Sequence, residues 1–226
     1  MAEIELNSSD LIGDADLVSY YRFENSLNDE KGTNNLTDNG STNTASGKFG
    51  QARNFEADST QYAKKTTATH PTGNSAFSIS LWVNLESTGV DRVFFAIGVD
   101  GGSPTAAGVY LEGSSGKFAF SFASSNGKVL SSTIPSTGTW YYVVGVYDTS
   151  STKIYVNGVL ENTTTYSSGN LSAGDLNVGS WVNNAGVHDG DIDDAAIFSK
   201  ALTAEDINYL YSGSRQGGSG FYYMSV

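Results

Sequence analysis

The densest group of side chains capable of chemistry is the acidic run at 189–194. It reads Asp-Gly-Asp-Ile-Asp-Asp, and crowded carboxylates suit hard cations such as calcium. The start resembles a calcium loop, but an EF-hand requires Gly and Glu where this chain has Asp194 and Lys200. If the run instead begins a strand, Asp193 points inward and must be neutralised, metal-bound or hydrogen-bonded. Calcium binding and hydrogen bonding to backbone amides both stay open.

Recognisable catalytic sets are absent from the sequence. It contains no G-x-S-x-G, H-E-x-x-H or Walker-type motif. His188 precedes Asp189, a pairing that can indicate acid–base work, and His70 precedes Pro71, which favours an extended loop. With only two histidines in Gly-rich surroundings, we expect both to lie on loop surfaces. A glycosidase needs two carboxylates that flank the bond it cleaves. With 24 Asp or Glu in the chain, such a pair can arise by chance and does not indicate an enzyme.

One aromatic residue stands out as a candidate for sugar binding. Trp181 is followed closely by Asn183 and Asn184 in a predicted loop. An exposed indole can stack on the apolar face of a sugar ring, and the amides can hydrogen-bond to hydroxyl groups. We therefore predict a carbohydrate-binding site at these three residues. The alternative is a Trp that packs at the end of a strand.

Composition limits the classes of partner. The 226 residues include 24 Asp or Glu and 12 Lys or Arg, which gives a net charge of -12. Such a chain repels phosphate backbones and anionic membranes, so we expect no nucleic-acid partner. The absence of an apolar run of about 20 residues argues against membrane insertion. The absence of Cys excludes disulfide scaffolds and zinc-thiolate sites, and no secretory signal is visible at the start.

The elements that must position these residues are predicted to be strands. Residues 77–85 alternate with apolar odd positions, which is typical of a half-buried strand, whereas 140–147 is apolar on both faces and should lie centrally. Asn157-Gly158 predicts a type I′ hairpin. A capping box at 203–206 predicts one helix, which Gly213 should end. The chain is therefore expected to be all-β with one short C-terminal helix.

Several segments carry short motifs in a fixed order along the chain, among them 16–24, 47–55, 154–158 and 190–207. In their residues and their order, these motifs resemble those of laminin-G-like jelly rolls of the concanavalin A-like lectin/glucanase superfamily. The resemblance implies an antiparallel jelly-roll sandwich of two sheets over residues 16–213. Residues 1–15 are then an N-terminal extension, and 214–226 a Gly-hinged apolar C-terminal tail.

What the resemblance implies about function is less specific, because sites are grafted onto folds. The Glu-x-Asp-x-x-Glu strand of the family's glucanases is absent. We therefore expect a non-catalytic binding or adhesion module, with a glycan or surface protein as partner and an extracellular, cell-surface or virion-surface location. One alternative is a structural or decoration component of a virion or cell-surface assembly, docked through its termini. A second is a glycan-active hydrolase.

The family motifs also suggest that the first loop meets the closing strand. From this similarity we predict one structural calcium site, formed by Asp29, Asn34 and Asp193. A metal bound only by the native state would stabilise the fold. The alternative is that Asp193 merely accepts hydrogen bonds from backbone amides.

Both ends carry apolar residues beyond the family-like region. Phe221, Tyr222, Tyr223 and Met224 follow the glycines of the hinge, and Ile4, Leu6, Leu11 and Ile12 precede the domain. An exposed apolar tail invites aggregation, so we expect it to be buried. It is predicted either to pair with a sheet edge of its own chain, the favoured alternative, or to add a strand to a neighbouring subunit in self-assembly.

Overall fold

The computed structural model describes residues 4–100, 105–122, 126–212 and 221–224, with backbone alone at 4–10, 126 and 221–224. Two antiparallel sheets of seven and eight strands pack face to face. The predicted fold, an all-β jelly-roll sandwich with a short C-terminal helix, is confirmed. Within the described ranges, no helix is long and apolar enough to cross a membrane.

The seven-stranded sheet mixes strands from distant parts of the chain. In spatial order its strands are β11 (Asn126–Leu130), β10 (Lys117–Phe122), β9 (Ala106–Glu112), β8 (Arg92–Gly98), β15 (Gly174–Val178), β6 (Tyr62–Ala68) and β3 (Thr37–Asn39).

The eight-stranded sheet has the closing strand near its centre. Its spatial order is β14 (Val159–Thr165), β13 (Ser151–Val156), β12 (Trp140–Tyr147), β7 (Phe77–Leu85), β16 (Gly190–Phe198), β5 (Gln51–Phe55) and β4 (Asn43–Ser46), and β2 (Leu17–Tyr21) pairs with β16. Asn157 and Gly158 join β13 to β14 with φ angles of 50° and 82°, as the predicted hairpin requires.

The main core fills the space between the sheets. The odd positions of β7 all point into it, while Trp82 points to the opposite, outer face. Ser78, Ser80 and Trp82 on that face are also buried, so the prediction of a half-buried strand was wrong. On β12, Val143 lies in the core and Val144 lies in the outer cluster. The prediction that 140–147 is covered on both sides is therefore confirmed.

Helix α2 (Ala204–Ser212) covers part of this outer face. Thr203 and Asp206 form the predicted reciprocal cap, since the backbone N–H of each donates to the side chain of the other at 2.8 and 3.1 Å. Tyr211 of α2 stacks on Trp82 with ring centroids 5.6 Å apart. A second helix, α1 (Ser8–Gly13), was not predicted, and the residues Ala57–Ser59 form one 3-10 turn.

The two ends of the chain meet. Strand β1 (Ile4–Asn7) pairs antiparallel with β17 (Phe221–Met224), in a two-stranded sheet separate from the sandwich. Leu11 and Ile12, which follow on α1, are half-buried against the outer cluster that α2 also covers.

Candidate functional site

The turn between β15 and β16 holds Trp181, Asn183 and Asn184, the residues predicted to contact sugar. The backbone N–H of Asn184 donates to the Trp181 carbonyl at 2.7 Å, and the N–H of Trp181 donates to the Ala185 carbonyl at 2.9 Å. Asn184 has a φ of 65°, a left-handed conformation in which Asn is enriched. The turn therefore closes tightly and brings the three residues together.

Both asparagine side chains help to shape this turn. Asn183 Oδ1 accepts from the backbone N–H of Ala185 at 3.1 Å. Asn184 Oδ1 accepts from Nδ2 of the buried Asn177 at 3.3 Å, and the same Nδ2 donates to the Trp181 carbonyl at 2.8 Å. Asn183 is exposed whereas Asn184 is half-buried, so Asn183 is the better placed of the two to meet a ligand.

The indole of Trp181 lies on the outer face of the seven-stranded sheet. Its ring centroid is 5.4 Å from that of Tyr110, with an angle of 53° between the planes. A Cβ atom added at Gly108 would lie 2.7 Å from Trp181 Cζ3, so only Gly leaves room for the indole against β9. The indole packs against a small apolar cluster and is half-buried. It therefore combines packing with a surface that solvent can reach.

Charged and polar groups flank this aromatic pair. The Tyr110 hydroxyl accepts from Ser121 Oγ at 3.3 Å, and burial raises the Tyr110 pKa. Two residues further along β9, Glu112 forms an ion pair with Lys128, whose hydrogen bond lowers the pKa of that carboxyl. Sequence reasoning missed these residues. The available signal was the alternation of β9, which puts Tyr110 and Glu112 on one face.

The two histidines are not on the surface, so that prediction was wrong. His188 is fully buried, with its ring 5.2 Å from that of Phe94 and 6.3 Å from that of Phe55. Burial lowers its pKa to about 3. His70 is also buried, with Nδ1 2.8 Å from the Pro71 carbonyl oxygen. The sealed imidazole of His188 cannot exchange a proton with a bound substrate, so His188 does not fit acid–base catalysis.

Asp29 and Asn34, two of the predicted calcium ligands, lie close together in the loop after β2. Asp29 Oδ1 accepts from the backbone N–H groups of Tyr20 and Lys31 at 3.0 and 3.1 Å, and its Oδ2 accepts from that of Asn34 at 3.1 Å. Asn34 Nδ2 donates to the Thr69 carbonyl and its Oδ1 accepts from the Thr69 N–H. The two side chains thus tie three segments of backbone together.

Asp193, the third predicted ligand, holds a different turn. Its Oδ2 accepts from the backbone N–H of Phe49 at 2.9 Å, and its Oδ1 accepts from that of Asp194 at 2.8 Å. Among the described residues, no group of three or more His, Cys, Asp or Glu is arranged to hold a metal. The donors around these oxygens fit amide binding better than calcium, and calcium stays a prediction.

The predicted docking residues of the tail form β17. Phe221 is in register with Asn7, and Met224 is in register with Ile4. The strand therefore pairs with the N-terminal segment of its own chain rather than with an edge of the sandwich.

Solved structures share this fold. Domain 4 of AbnA, an extracellular GH43 arabinanase from Geobacillus stearothermophilus in complex with arabinotriose, has a TM-score of 0.69 and 22% identity, covering 86% of this chain and 98% of that one. A structure of botulinum neurotoxin type C, whose cell entry depends upon interaction with two ganglioside molecules, has a TM-score of 0.66 and 17% identity, covering 90% of this chain and 52% of that one.

The binding domain of Paraclostridial Mosquitocidal Protein 1 is similar at a TM-score of 0.66 and 11% identity, covering 87% of this chain and 52% of that one. This chain thus spans about half of the length of the toxin structures. Comparison with curated protein sequences gives no significant match.

A family model supports the resemblance found in the sequence. The model, described as concanavalin A-like lectin/glucanases superfamily, matches residues 57–208, more than half of the 226 residues. The match includes β6 to β16, from which both sheets of the sandwich are largely built. The chain therefore belongs to the concanavalin A-like lectin/glucanase superfamily.

Proposed function

We propose that this chain is a non-catalytic glycan-binding module whose site is the surface formed by Trp181 and Asn183, with the buried ring of Tyr110 supporting the indole. The observation that carries the proposal is the half-buried indole held over Gly108 beside a second aromatic ring. An aromatic face stacks on the C–H face of a sugar. The Asn183 amide at the turn can pair with hydroxyl groups at the rim.

The comparisons support the class of ligand and the location. The arabinanase domain is in complex with arabinotriose, and the neurotoxin interacts with gangliosides. We infer that this chain likewise acts outside the cell, on a cell or virion surface. Its net charge of -12 favours glycans over nucleic acids or anionic membranes as partners.

A hydrolase is the less supported alternative. Both histidines are buried, and the sequence lacks the glucanase motif. Asn54 Nδ2 does bridge two carboxylates, those of Glu86 and Asp191, at 3.2 and 3.0 Å. Glycosidases also use paired carboxyl groups, so reducing-end release from a panel of polysaccharides is the measurement that separates cleavage from binding.

The binding proposal is tested by replacing the indole. Trp181→Ala removes the stacking surface, and loss of one aromatic–sugar stack should weaken binding by about tenfold, equivalent to about 1.4 kcal/mol. The affinity is measured by calorimetric titration with the sugar that the parent chain binds most tightly. Ile134→Ala is the matched control, because Ile134 is 66% exposed and apolar but is not part of the aromatic pair. Equal affinity of both variants and the parent chain would place the site elsewhere.

A second candidate function is that of a structural or decoration component docked through its termini. The observation that favours it is the two-stranded sheet of β1 and β17, which pairs with no other described strand. Each of its strands keeps an open edge, and open edges can accept a strand from another chain. Truncation of the tail, described below, tests this candidate.

A further inference from the structure

Five residues form a row across the eight-stranded sheet. The register pairs Asn43 with Asn54, Asn54 with Asp191, Asp191 with Asn84, and Asn84 with Trp140. Directly paired residues of antiparallel strands point to the same side of a sheet. Since neighbouring strands lie about 4.8 Å apart, the row is about 19 Å long. We call these five residues the Asn-Trp row.

The row lies on the outer face, beside the part covered by α2. Ile192 and Val83, the next residues along β16 and β7, point into the core, whereas Trp140 packs against the outer cluster. Tyr211 of helix α2 stacks on Trp82. Trp82 is two residues before Asn84 on β7 and therefore points to the same face as the row. Four of the row's residues are reachable from solvent: Asn43 is exposed, and Asn54, Asn84 and Trp140 are half-buried.

The middle of the row is a connected set of polar side chains. Asn54 Nδ2 donates to Asp191 Oδ1 at 3.0 Å and to Glu86 Oε1 at 3.2 Å, and Asn84 also hydrogen-bonds to Asp191. Asp191 is only 8% exposed, and burial raises its pKa. Within the described part of the chain, no Lys or Arg pairs with Asp191, and Asn84 Oδ1 has no hydrogen-bond partner.

If the row had only a structural role, it would lower the stability of the fold. A buried carboxylate without a cation lowers stability, and Asn and Asp are depleted in strands because they fit the pleated surface poorly. An acceptor without a donor, such as Asn84 Oδ1, adds to the cost. A ligand that brings hydroxyl donors would supply partners for the carboxylates of this set.

We propose that the Asn-Trp row is a second glycan site, one that binds uncharged sugar chains. The proposal rests on the proposed function, because it assigns the same class of ligand to a different sheet. A sugar ring stacks on Trp140, while hydroxyl groups of the sugar chain donate to Asp191 and Glu86. These carboxylates repel uronate and sulfate groups, which restricts the site to neutral sugars. The row is long enough for more than one ring.

Tryptophan indole signals test both sites in one titration. The chain has three Trp, and Trp→Phe variants assign their indole N–H resonances in NMR spectra. Arabinan- and xylan-derived trisaccharides are the neutral probes, and trigalacturonate is the charged counterpart. We expect at least one neutral probe to shift the Trp140 resonance, and trigalacturonate to leave it in place. Asp191→Asn, which removes the charge and keeps the shape, should weaken the binding seen at Trp140 about tenfold.

The outcomes separate the two proposals. Shifts at Trp181 with an unmoved Trp140 across all neutral probes would overturn the second site and leave the first intact. Shifts at Trp140 alone would support the Asn-Trp row and move the primary site away from Trp181. A Trp140 resonance that responds equally to trigalacturonate, or binding unchanged in Asp191→Asn, would overturn the proposed preference and the role of the carboxylate.

Discussion

At the scale of single residues, the key carboxylates are held by backbone amides. Asp29 accepts from three N–H groups and Asp193 from two. A sequence cannot distinguish this use from calcium binding, because a carboxylate oxygen can either accept hydrogen bonds from N–H groups or bind a calcium ion. Only the groups that surround the oxygen in the fold differ between the two cases. Motif similarity therefore identified residues that matter to the fold while leaving their chemistry open.

Removal of Asp29 should have the same effect with and without calcium. Asp29→Asn replaces one acceptor oxygen by a donor that faces backbone N–H groups, which should cost about 2 kcal/mol of unfolding free energy. Denaturant titration in EDTA and in millimolar calcium measures this. The amide arrangement predicts equal midpoints in both buffers for the parent chain. A midpoint that rises with calcium and falls with EDTA would instead establish the predicted metal site.

His188 should make the fold sensitive to acid. Its pKa is about 3 in the folded state, below the ordinary unfolded value of about 6.5. The neutral ring is therefore the form that the fold favours, and this stability is full above about pH 6.5 and lost as the pH falls towards 3. Each pH unit inside this window should cost up to about 1.4 kcal/mol.

Replacement of this ring isolates its contribution. His188→Phe keeps an aromatic side chain between Phe55 and Phe94 but removes the titrating group. Unfolding free energies at pH 7, 6, 5 and 4 should fall less steeply for His188→Phe than for the parent chain. Carboxylates such as Asp148, whose pKa is lowered by hydrogen bonds from Lys153 and two serines, contribute equally to both slopes. Parallel curves would show that His188 is not the group responsible.

At the scale of elements, local patterns predicted strands well and sites poorly. The alternation of β7, the two-sided β12 and the cap of α2 depend on neighbouring residues, so the sequence displays them. Short α1 has no strong periodic signal and was missed. The Asn-Trp row joins residues from five strands, and pairing between strands distant in sequence is fixed by the whole fold rather than by any local pattern.

The close approach of Trp181 to β9 gives a test at this scale. Gly108→Ala adds a Cβ atom that would lie 2.7 Å from the indole and 2.8 Å from the Phe95 carbonyl oxygen. We expect the indole to move outward, with red-shifted tryptophan emission and a lower melting temperature. Gly13→Ala is the control, since its Cβ atom would meet nothing within 4 Å. Unchanged emission in Gly108→Ala would contradict the described position of the indole against Gly108.

At the scale of the whole molecule, the order of motifs predicted the family and the sandwich, since several weak matches in sequence order are jointly specific. The pairing of the two ends with each other was neither of the two alternatives predicted, which were an edge of the chain's own sandwich and a neighbouring subunit. The sequence could not decide between them, because a short apolar strand suits an edge of its own chain or of a neighbour equally well. The structure pairs β17 with β1 of the same chain.

Truncation before β17 distinguishes a stabilising strand from a docking element. Deleting 217–226 removes the partner of β1, so the melting temperature should fall while the chain keeps its oligomeric state. Deleting only 225–226, beyond the paired strand, is the control. Calorimetry and light scattering supply the readouts. An unchanged melting temperature together with lost self-association or partner binding would favour the assembly function instead.

The central claim is that this superfamily member binds glycans without cleaving them. A glycan array probed with the parent chain and Trp181→Ala, alongside a reducing-end assay on the same sugars, tests it most directly. We predict signals on a defined group of glycans, marked weakening in Trp181→Ala and no release of reducing ends. A blank array accompanied by measurable polysaccharide cleavage would contradict the claim and identify a hydrolase.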